Sequence, residues 1–215
     1  MTTFSFQQRL IHRLILQGPF IQEIGLLHGK MGIALFFFAY GKYTNCPVYT
    51  DIGEELLDDI WGLVHDELPY GFGSGLAGIG WGVEYLLQHH FIEGDSNEVC
   101  EEIDQRIMQI NLTRLKDTSL ETGLEGLFFY CSARMQGAEK QHNPNPFDAA
   151  YLSDLARVNT CLATSDLLPF YRQYPVSLSP LIDMNLMEID ENNYLTVALG
   201  LKEGIAGCLF KQIRK

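Results

Sequence analysis

A short glycine pattern that occurs four times constrains the fold of this chain more than any other feature. Each copy reads apolar-x-x-Gly-x-x-Gly and precedes a strongly apolar run; the copies occupy residues 26–32, 72–78, 120–126 and 201–207. Their glycines are Gly29 and Gly32, Gly75 and Gly78, Gly123 and Gly126, and Gly204 and Gly207. Successive copies lie 46, 48 and 81 residues apart, and the shorter period fits two helices and two loops per repeat. The last interval therefore contains an insertion or a degenerate extra repeat.

The segments around the motifs indicate two kinds of helix. Residues 51–67, 97–112 and 147–163 carry apolar residues at helical spacing opposite a polar face, which is typical of amphipathic helices. The runs Gly32–Tyr40 and Gly78–Leu87 are apolar on nearly every side, which favours buried helices, with strand as the competing interpretation. We therefore predict an all-α fold in which each repeat is a hairpin of one outer and one inner helix, arranged in an arc or ring.

The glycine pairs at the start of the inner helices need a physical reason, because a glycine inside a helix costs about 1 kcal/mol relative to alanine. Glycine lets neighbouring inner helices approach each other closely. It also leaves the first backbone N–H groups bare, so that an anion or another polar ligand can bind there. Close packing is the preferred interpretation, and ligand binding is the alternative.

The composition limits the partners and the compartment of the protein. The formal net charge is −12 and the basic residues are scattered, so we expect no nucleic-acid partner. The five cysteines are widely spaced and form no Cys-x-x-Cys pair, which indicates reduced thiols rather than disulfides. The N-terminal segment lacks the pattern of a secretory signal, and the longest apolar run, Ile33–Tyr40, has eight residues, too few to cross a bilayer. These features predict a cytoplasmic protein without membrane association.

The motifs also carry a family resemblance. Copies two and three, within Gly73–Trp81 and Ser119–Leu127, resemble the repeats of the lanthionine synthetase C-like family, the cyclases of lanthipeptide biosynthesis and their relatives. The resemblance extends from about residue 20 to the C-terminus and corresponds to the N-terminal half of a full family member. It implies that residues 1–215 form one domain of about four repeats with the α/α-toroid arrangement of that family.

Active members of this family are zinc enzymes, and the resemblance implies which groups the chemistry needs. A Cys and a Cys-His pair from late repeats hold zinc, which keeps a substrate cysteine as a nucleophilic thiolate. A His directly before the first glycine of a motif handles protons. This chain has no Cys-His dipeptide, ends before the late repeats, and carries Glu203 at the position of that His. We therefore expect no metal, no cofactor and no zinc-dependent cyclisation.

The residue before the first glycine is polar in every copy although its surroundings are apolar. These residues are His28, Ser74, Thr122 and Glu203, and in a toroid they would line the central cavity. Ser74 and Thr122 suit the N-cap position of a helix. His28 and Glu203 are less suitable caps and are the better cavity-lining candidates.

Three further carboxylates are candidates for catalysis. Glu121 and Glu125 flank the third motif, but they lie four residues apart on one helical edge, and acids that flank a scissile bond usually come from separate elements. Glu84 lies in an apolar helix, where a buried acid can be functional through a raised pKa but more often pairs with an arginine or a hydroxyl group. The catalytic candidates are therefore Glu203, His28, Glu121 and Glu84.

Half of a ring would leave apolar surfaces of the inner helices exposed, and such surfaces mark interfaces. A second copy, a complementary protein or a bound peptide could cover them. We predict a non-catalytic binding or accessory component of peptide modification. The alternative is an α/α-toroid hydrolase that acts on a glycan or a peptide through Glu203, Glu121 or Glu84.

Overall fold

The described part of the chain folds into helices joined by loops. The computed structural model describes residues 4–162, 176–183 and 188–213. The helices are α1 Phe6–Gln17, α2 Lys30–Thr44, α3 Pro47–Leu63, α4 Leu76–Gln88, α5 Ser96–Val99, α6 Glu101–Met108, α7 Leu124–Gln141, α8 Ala149–Leu162, α9 Ser179–Asp183 and α10 Ile205–Ile213. No strand occurs in these ranges, apart from one isolated bridge between Ala198 and Gly204. The predicted all-α fold of helical hairpins is confirmed.

The contacts divide the chain into two units. The first consists of Met1–Leu68 and Ser177–Lys215, and the second of Pro69–Val176. Motif copies one and four belong to the first unit, and copies two and three belong to the second. The single domain over residues 1–215 stays a prediction.

The first unit is built on the hairpin of α2 and α3. Asn45 ends α2 in the left-handed conformation, at φ 52°, and Pro47 begins α3 two residues later. α2 is buried on all sides between Lys30 and Phe38, as predicted for an inner helix. It packs on α10, where the rings of Phe36 and Phe210 meet edge to face at 5.6 Å.

The outer helix α3 has the predicted amphipathic character. It buries Leu56, Leu57 and Ile60 against the core. Leu63, which the periodicity also places on the apolar face, is exposed because α3 ends at this residue and the backbone of Val64 is extended.

The second unit has α4 and α7 at its centre. α4 is buried from Leu76 to Glu84, and α7 has a nearly continuous buried stretch from Gly126 to Arg134. α5 and α6 pack on this pair, and α8 follows α7 along the chain. The apolar runs after copies one and two are thus helices and not strands.

The outer segment 97–112 differs from the single helix that its periodicity predicts. It forms two shorter helices that meet at Cys100, and Val99 is consequently 39% exposed instead of facing the core. Asp95 is the N-cap, since its carboxylate accepts from the N–H of Asn97 at 2.8 Å. The cap therefore lies directly before Ser96, the first residue of α5.

Candidate functional site

The four motifs begin the inner helices in the same way. Gly29, Gly75 and Gly123 are the N-cap residues of α2, α4 and α7. In every copy the first N–H after this glycine donates to a carbonyl oxygen seven residues earlier, at 2.9–3.0 Å. The donor and acceptor pairs are Lys30 and Glu23, Leu76 and Pro69, Leu124 and Asp117, and Ile205 and Ala198. The loop before each motif therefore caps its own helix.

These backbone bonds bear on the ligand-binding explanation of the glycines. In copies one, two and four the second helical N–H is bonded in the same way, at 3.1–3.2 Å. The pairs are Met31 and Ile24, Ala77 and Tyr70, and Ala206 and Leu199. These N–H groups already have partners, which favours close packing over ligand binding as the reason for the glycines.

Close approach of the backbone explains the first glycine of each motif. The N-cap glycines have φ between −116° and −129°, which other residues also adopt, so conformation alone does not require glycine. A Cβ atom at Gly29 would lie 2.5 Å from the carbonyl oxygen of Glu23, and one at Gly123 would lie 2.5 Å from that of Asp117. Gly75 and Gly204 face backbone oxygens in the same manner. The loop can cap the helix only where a side chain is absent.

The second glycine of two motifs serves the packing of paired copies. A Cβ atom at Gly32 would lie 2.7 Å from Cγ of Leu201, and one at Gly126 would lie 2.5 Å from Cβ of Phe72. Leu201 and Phe72 are the first residues of copies four and two. Copy one thus packs against copy four, and copy three packs against copy two.

One hydrogen bond joins each pair of copies at the same motif position. The N–H of Lys202 donates to the carbonyl oxygen of Leu27 at 2.9 Å, and the N–H of Gly73 donates to that of Glu121, also at 2.9 Å. All four are the second residues of their motifs. The inner helices of a pair therefore begin side by side, with their variable polar residues next to this bond.

The structure corrects the cap roles predicted for Ser74 and Thr122. The N-cap positions are occupied by Gly75 and Gly123, and neither helix has a side-chain cap bond. The hydroxyl of Thr122 instead donates to Oδ2 of Asp117 at 2.6 Å. A side-chain cap is not needed here, because the carbonyl groups of the preceding loop already accept from the helix.

In the second unit the paired motifs surround a shallow cleft of about 230 Å³, which we call the motif cleft. Its lining includes Tyr70, Gly71, Gly73, Ser74, Glu121 and Thr122. The structure thus brings three candidates, Ser74, Thr122 and Glu121, into one cleft. Glu125, the other acid of the pair, is exposed in the first turn of α7 and does not line it.

In the first unit the corresponding residues are His28 and Glu203. His28 is half-buried, whereas Glu203 is exposed and has a left-handed backbone with φ 50°. A Cβ atom at Gly200 would lie 2.8 Å from Cα of His28, so the loop before copy four lies directly against copy one. Both residues therefore lie at the junction of a motif pair, as Ser74 and Thr122 do.

Glu84 belongs to a buried polar network and not to a cleft. Its Oε1 accepts from Nη1 of Arg134 at 2.5 Å, and both side chains are fully buried. Arg134 also donates through Nε and Nη2 to the carboxylate of Asp104, and the Tyr130 hydroxyl donates to the same carboxylate at 2.5 Å. Of the two partners expected for a buried Glu84, an arginine or a hydroxyl group, the structure shows the arginine.

Burial dominates the electrostatics of this network. It raises the pKa of Glu84, while the charge of Arg134 and the bond from Gln88 oppose the rise. It also raises the pKa of the Tyr130 phenol, with Asp104 adding to the effect. Glu84 has no exposed surface and both of its oxygens accept bonds, so the network holds α4, α6 and α7 together instead of meeting a substrate.

Asp104 and Arg134 were not among the residues that the sequence singles out. Asp104 lies in the acidic run at the start of α6, where an ordinary surface acid is the expected interpretation. Arg134 follows the apolar run of α7. A basic residue inside a buried helix indicates that a buried acid lies nearby, and the buried Glu84 in turn indicates a basic partner. That pair of signals could have predicted the ion pair.

The described residues do not fit the zinc site of active lanthionine cyclases. Among them, no three His, Cys, Asp or Glu side chains are grouped to hold a metal ion. Cys46, Cys100, Cys131 and Cys208 are free thiols, and burial raises the pKa of Cys208. The side chain of Cys161 lies outside the described part of the chain.

The chain matches no protein-family model, and no curated protein matches it significantly. The lanthionine synthetase C-like resemblance therefore stays a prediction that rests on the motifs. Within the described ranges, no helix is both long and apolar enough to span a bilayer.

Proposed function

We propose that this chain is a lanthionine synthetase C-like protein without cyclase activity, which binds a peptide as an accessory component of peptide modification. The observation that carries the proposal is the motif cleft between copies two and three. Its wall combines the hydroxyl groups of Ser74 and Thr122, the phenol ring of Tyr70 and the carboxylate of Glu121.

The composition of the motif cleft suits the main chain of a peptide. The hydroxyl groups of Tyr70, Ser74 and Thr122 can form hydrogen bonds to the amide groups of a peptide main chain. Gly71 and Gly73 are buried against Glu121 and serve the packing of the cleft wall. A volume of about 230 Å³ is smaller than a typical pocket for a whole small molecule, so the cleft suits one side chain of a longer ligand. Glu121 supplies a carboxylate, and the net charge of −12 favours a cationic segment.

The hydroxyl groups of the motif cleft lack the partners that nucleophilic catalysis requires. Such a hydroxyl needs an adjacent general base with a suitable pKa. Thr122 is bonded to Asp117, and this bond, together with bonds from Ser119, lowers the pKa of that carboxyl group. A carboxylate with a lowered pKa is a weak base, so the arrangement favours binding over acyl transfer.

The test uses a synthetic lysine-containing peptide that carries one dehydroalanine and one cysteine. On titration into isotope-labelled protein we expect shifts of the backbone amide signals of Gly71, Gly73 and Thr122. Glu121→Gln should weaken binding about tenfold, because it removes one charge-assisted contact. Glu125→Gln is the matched control, since this exposed acid lies four residues later, in the first turn of α7 and outside the cleft, and the substitution should leave binding unchanged.

Turnover of the same peptide distinguishes the non-catalytic proposal from cyclase and hydrolase activity. Cyclisation leaves the peptide mass unchanged and consumes the thiol, so it is followed by alkylation of free thiol in the presence of zinc. Loss of the thiol would contradict the non-catalytic assignment. Cleavage of the peptide, or of a glycan panel, with loss of activity in a Glu203→Gln or Glu121→Gln variant would support the hydrolase alternative instead.

A further inference from the structure

A second, larger cavity lies in the same unit as the motif cleft, at the opposite ends of α4 and α7. Its volume is about 520 Å³, within the usual range for small-molecule sites. The residues that matter for its chemistry are Leu87, Gln88, Ile92, Glu93, Gly137 and Lys140. We call it the C-terminal cavity. It is separated from the motif cleft by the length of α4, about 20 Å.

Hydrogen bonds position the ammonium group of Lys140 in the lining of the C-terminal cavity. Nζ of Lys140 donates to Oε1 of Gln88 at 2.9 Å. The amide nitrogen of Gln88 donates in turn to Glu84 Oε2 at 2.8 Å and to the carbonyl oxygen of Ala133 at 3.0 Å. Gln88 is thus oriented by buried groups, and it orients Lys140.

A short loop that carries Glu93 also lines the C-terminal cavity. Gln141 holds this loop, because its amide nitrogen donates to the carbonyl oxygen of Gly94 and its amide oxygen accepts from the N–H of Ser96, both at 3.0 Å. Gly94 has φ 151°, a conformation that favours glycine. Glu93 therefore belongs to a restrained segment of the cavity lining, and its side chain is exposed.

The rest of the C-terminal cavity is mainly apolar. Leu87 and Ile92 supply aliphatic surface. Gly137 lies directly over the buried Glu84, since a Cβ atom at this position would lie 2.5 Å from Oε1 of Glu84. The lining also includes His90, so the cavity offers one ammonium group, one imidazole, one carboxylate and an aliphatic surface.

We propose that the C-terminal cavity binds a zwitterionic α-amino acid with an apolar side chain. Lys140 binds the carboxylate, Glu93 binds the ammonium group, and Leu87 and Ile92 contact the side chain. A purely anionic ligand is disfavoured by Glu93 and by the net charge of −12, and a purely cationic ligand is disfavoured by Lys140. This proposal does not depend on the proposed peptide-binding function.

The test measures binding of L-leucine by calorimetry, with two analogues that each lack one charge. We expect leucine to bind at millimolar concentration. The carboxylate-only analogue 4-methylpentanoate and the ammonium-only analogue 3-methylbutylamine should each bind about tenfold more weakly, because each loses one charge-assisted contact. Absence of leucine binding, or equal binding of 4-methylpentanoate, overturns the proposal.

Matched variants locate the binding in this cavity. Lys140→Ala and Glu93→Gln should each weaken leucine binding about tenfold. Lys116→Ala and Glu98→Gln remove the same charges from exposed positions of the same unit outside the cavity and should bind leucine as the unaltered chain does. Lys140→Arg, which keeps the charge, separates loss of binding from loss of folding. Leucine binding that Lys140→Ala leaves unchanged overturns the proposal.

Discussion

At the scale of single residues, Arg134 has the most demanding environment in the described part of the chain. Its guanidinium group is fully buried and serves two carboxylates, those of Glu84 and Asp104. Tyr130 donates a further hydrogen bond to Asp104, so this carboxylate accepts from both Arg134 and Tyr130. A buried network of this kind is costly to break, because the remaining charges lose their compensation.

We predict that Arg134→Met lowers the free energy of unfolding by about 3–5 kcal/mol, because it leaves two buried carboxylates without their cation. Denaturant unfolding measures the change. Arg114→Met is the control, since Arg114 is exposed, and it should change stability by less than about 0.5 kcal/mol. A similar small loss for both variants would contradict the structural role of the network.

The raised pKa of Glu84 predicts a specific pH dependence of stability. Burial raises this pKa above its unfolded value, so the folded protein holds the proton more tightly than the unfolded chain does. The contribution of Glu84 to stability is therefore full below the ordinary pKa of glutamate and is lost as the pH rises through the raised value. Urea unfolding across this pH range should show the decline in the unaltered chain and a smaller decline in Glu84→Gln. The exposed acid Glu98 provides the control, because Glu98→Gln should retain the full decline.

At the scale of helices, the loop before each motif and the N-cap glycine together cap the N-terminus of the inner helix. The loop folds back seven residues to accept from the first helical N–H, and the missing side chain provides the room. Helix ends leave unsatisfied N–H groups that usually need a side chain or water. Here a carbonyl group of the preceding loop accepts from the first helical N–H. The residue before the glycine therefore does not have to cap the helix and can vary from copy to copy.

We predict that Gly123→Ala lowers the free energy of unfolding by about 1–3 kcal/mol, because its Cβ atom would overlap the carbonyl oxygen of Asp117. The matched control is Gly62→Ala, near the end of α3, where a Cβ atom meets nothing within 4 Å. That substitution should stabilise the helix by about 0.5–1 kcal/mol. Thermal unfolding compares the two, and a loss of equal size at both positions would contradict the steric explanation.

The helices differ in how far their sequences predict them. The inner helices α2 and α4 are apolar on all sides, and their burial follows directly from that pattern. The break at Cys100 could not be predicted from periodicity, because the apolar spacing of residues 97–112 continues across it. The caps at Ser74 and Thr122 were predicted wrongly, since residue type alone does not show that a loop carbonyl group already accepts from the helix.

At the scale of the whole molecule, large apolar side chains remain at the surface of the first unit. Phe20 is 79% exposed and Leu16 is 70% exposed, and both lie at the end of α1. Single exposed apolar residues are normal, but neighbouring ones of this size mark candidate interfaces. Neither residue lies on an inner helix, where half of a ring would expose its apolar surface, so the need for a second copy or a complementary protein stays a prediction.

We predict that the purified chain has a solution mass above the 24.4 kDa of one copy at high concentration, and that the mass falls on dilution. Multi-angle light scattering after size exclusion measures this mass. Leu16→Lys together with Phe20→Lys should shift the equilibrium toward one copy if these side chains form the interface. A mass of one copy at every concentration would contradict self-association and leave a complementary protein as the remaining candidate.

The local pattern of residues was sufficient for several features of this protein. It predicted the helical class, the starts of the inner helices at the glycine motifs, and an arginine or a hydroxyl group as the partner of Glu84, because burial and close packing act on each segment directly. The tertiary structure decided which copies pair. Copy one meets copy four, although they are the first and the last copies along the chain. The ion pair of Arg134, the motif cleft and the C-terminal cavity likewise exist only after distant segments pack, since each is formed by residues from separate segments of the chain.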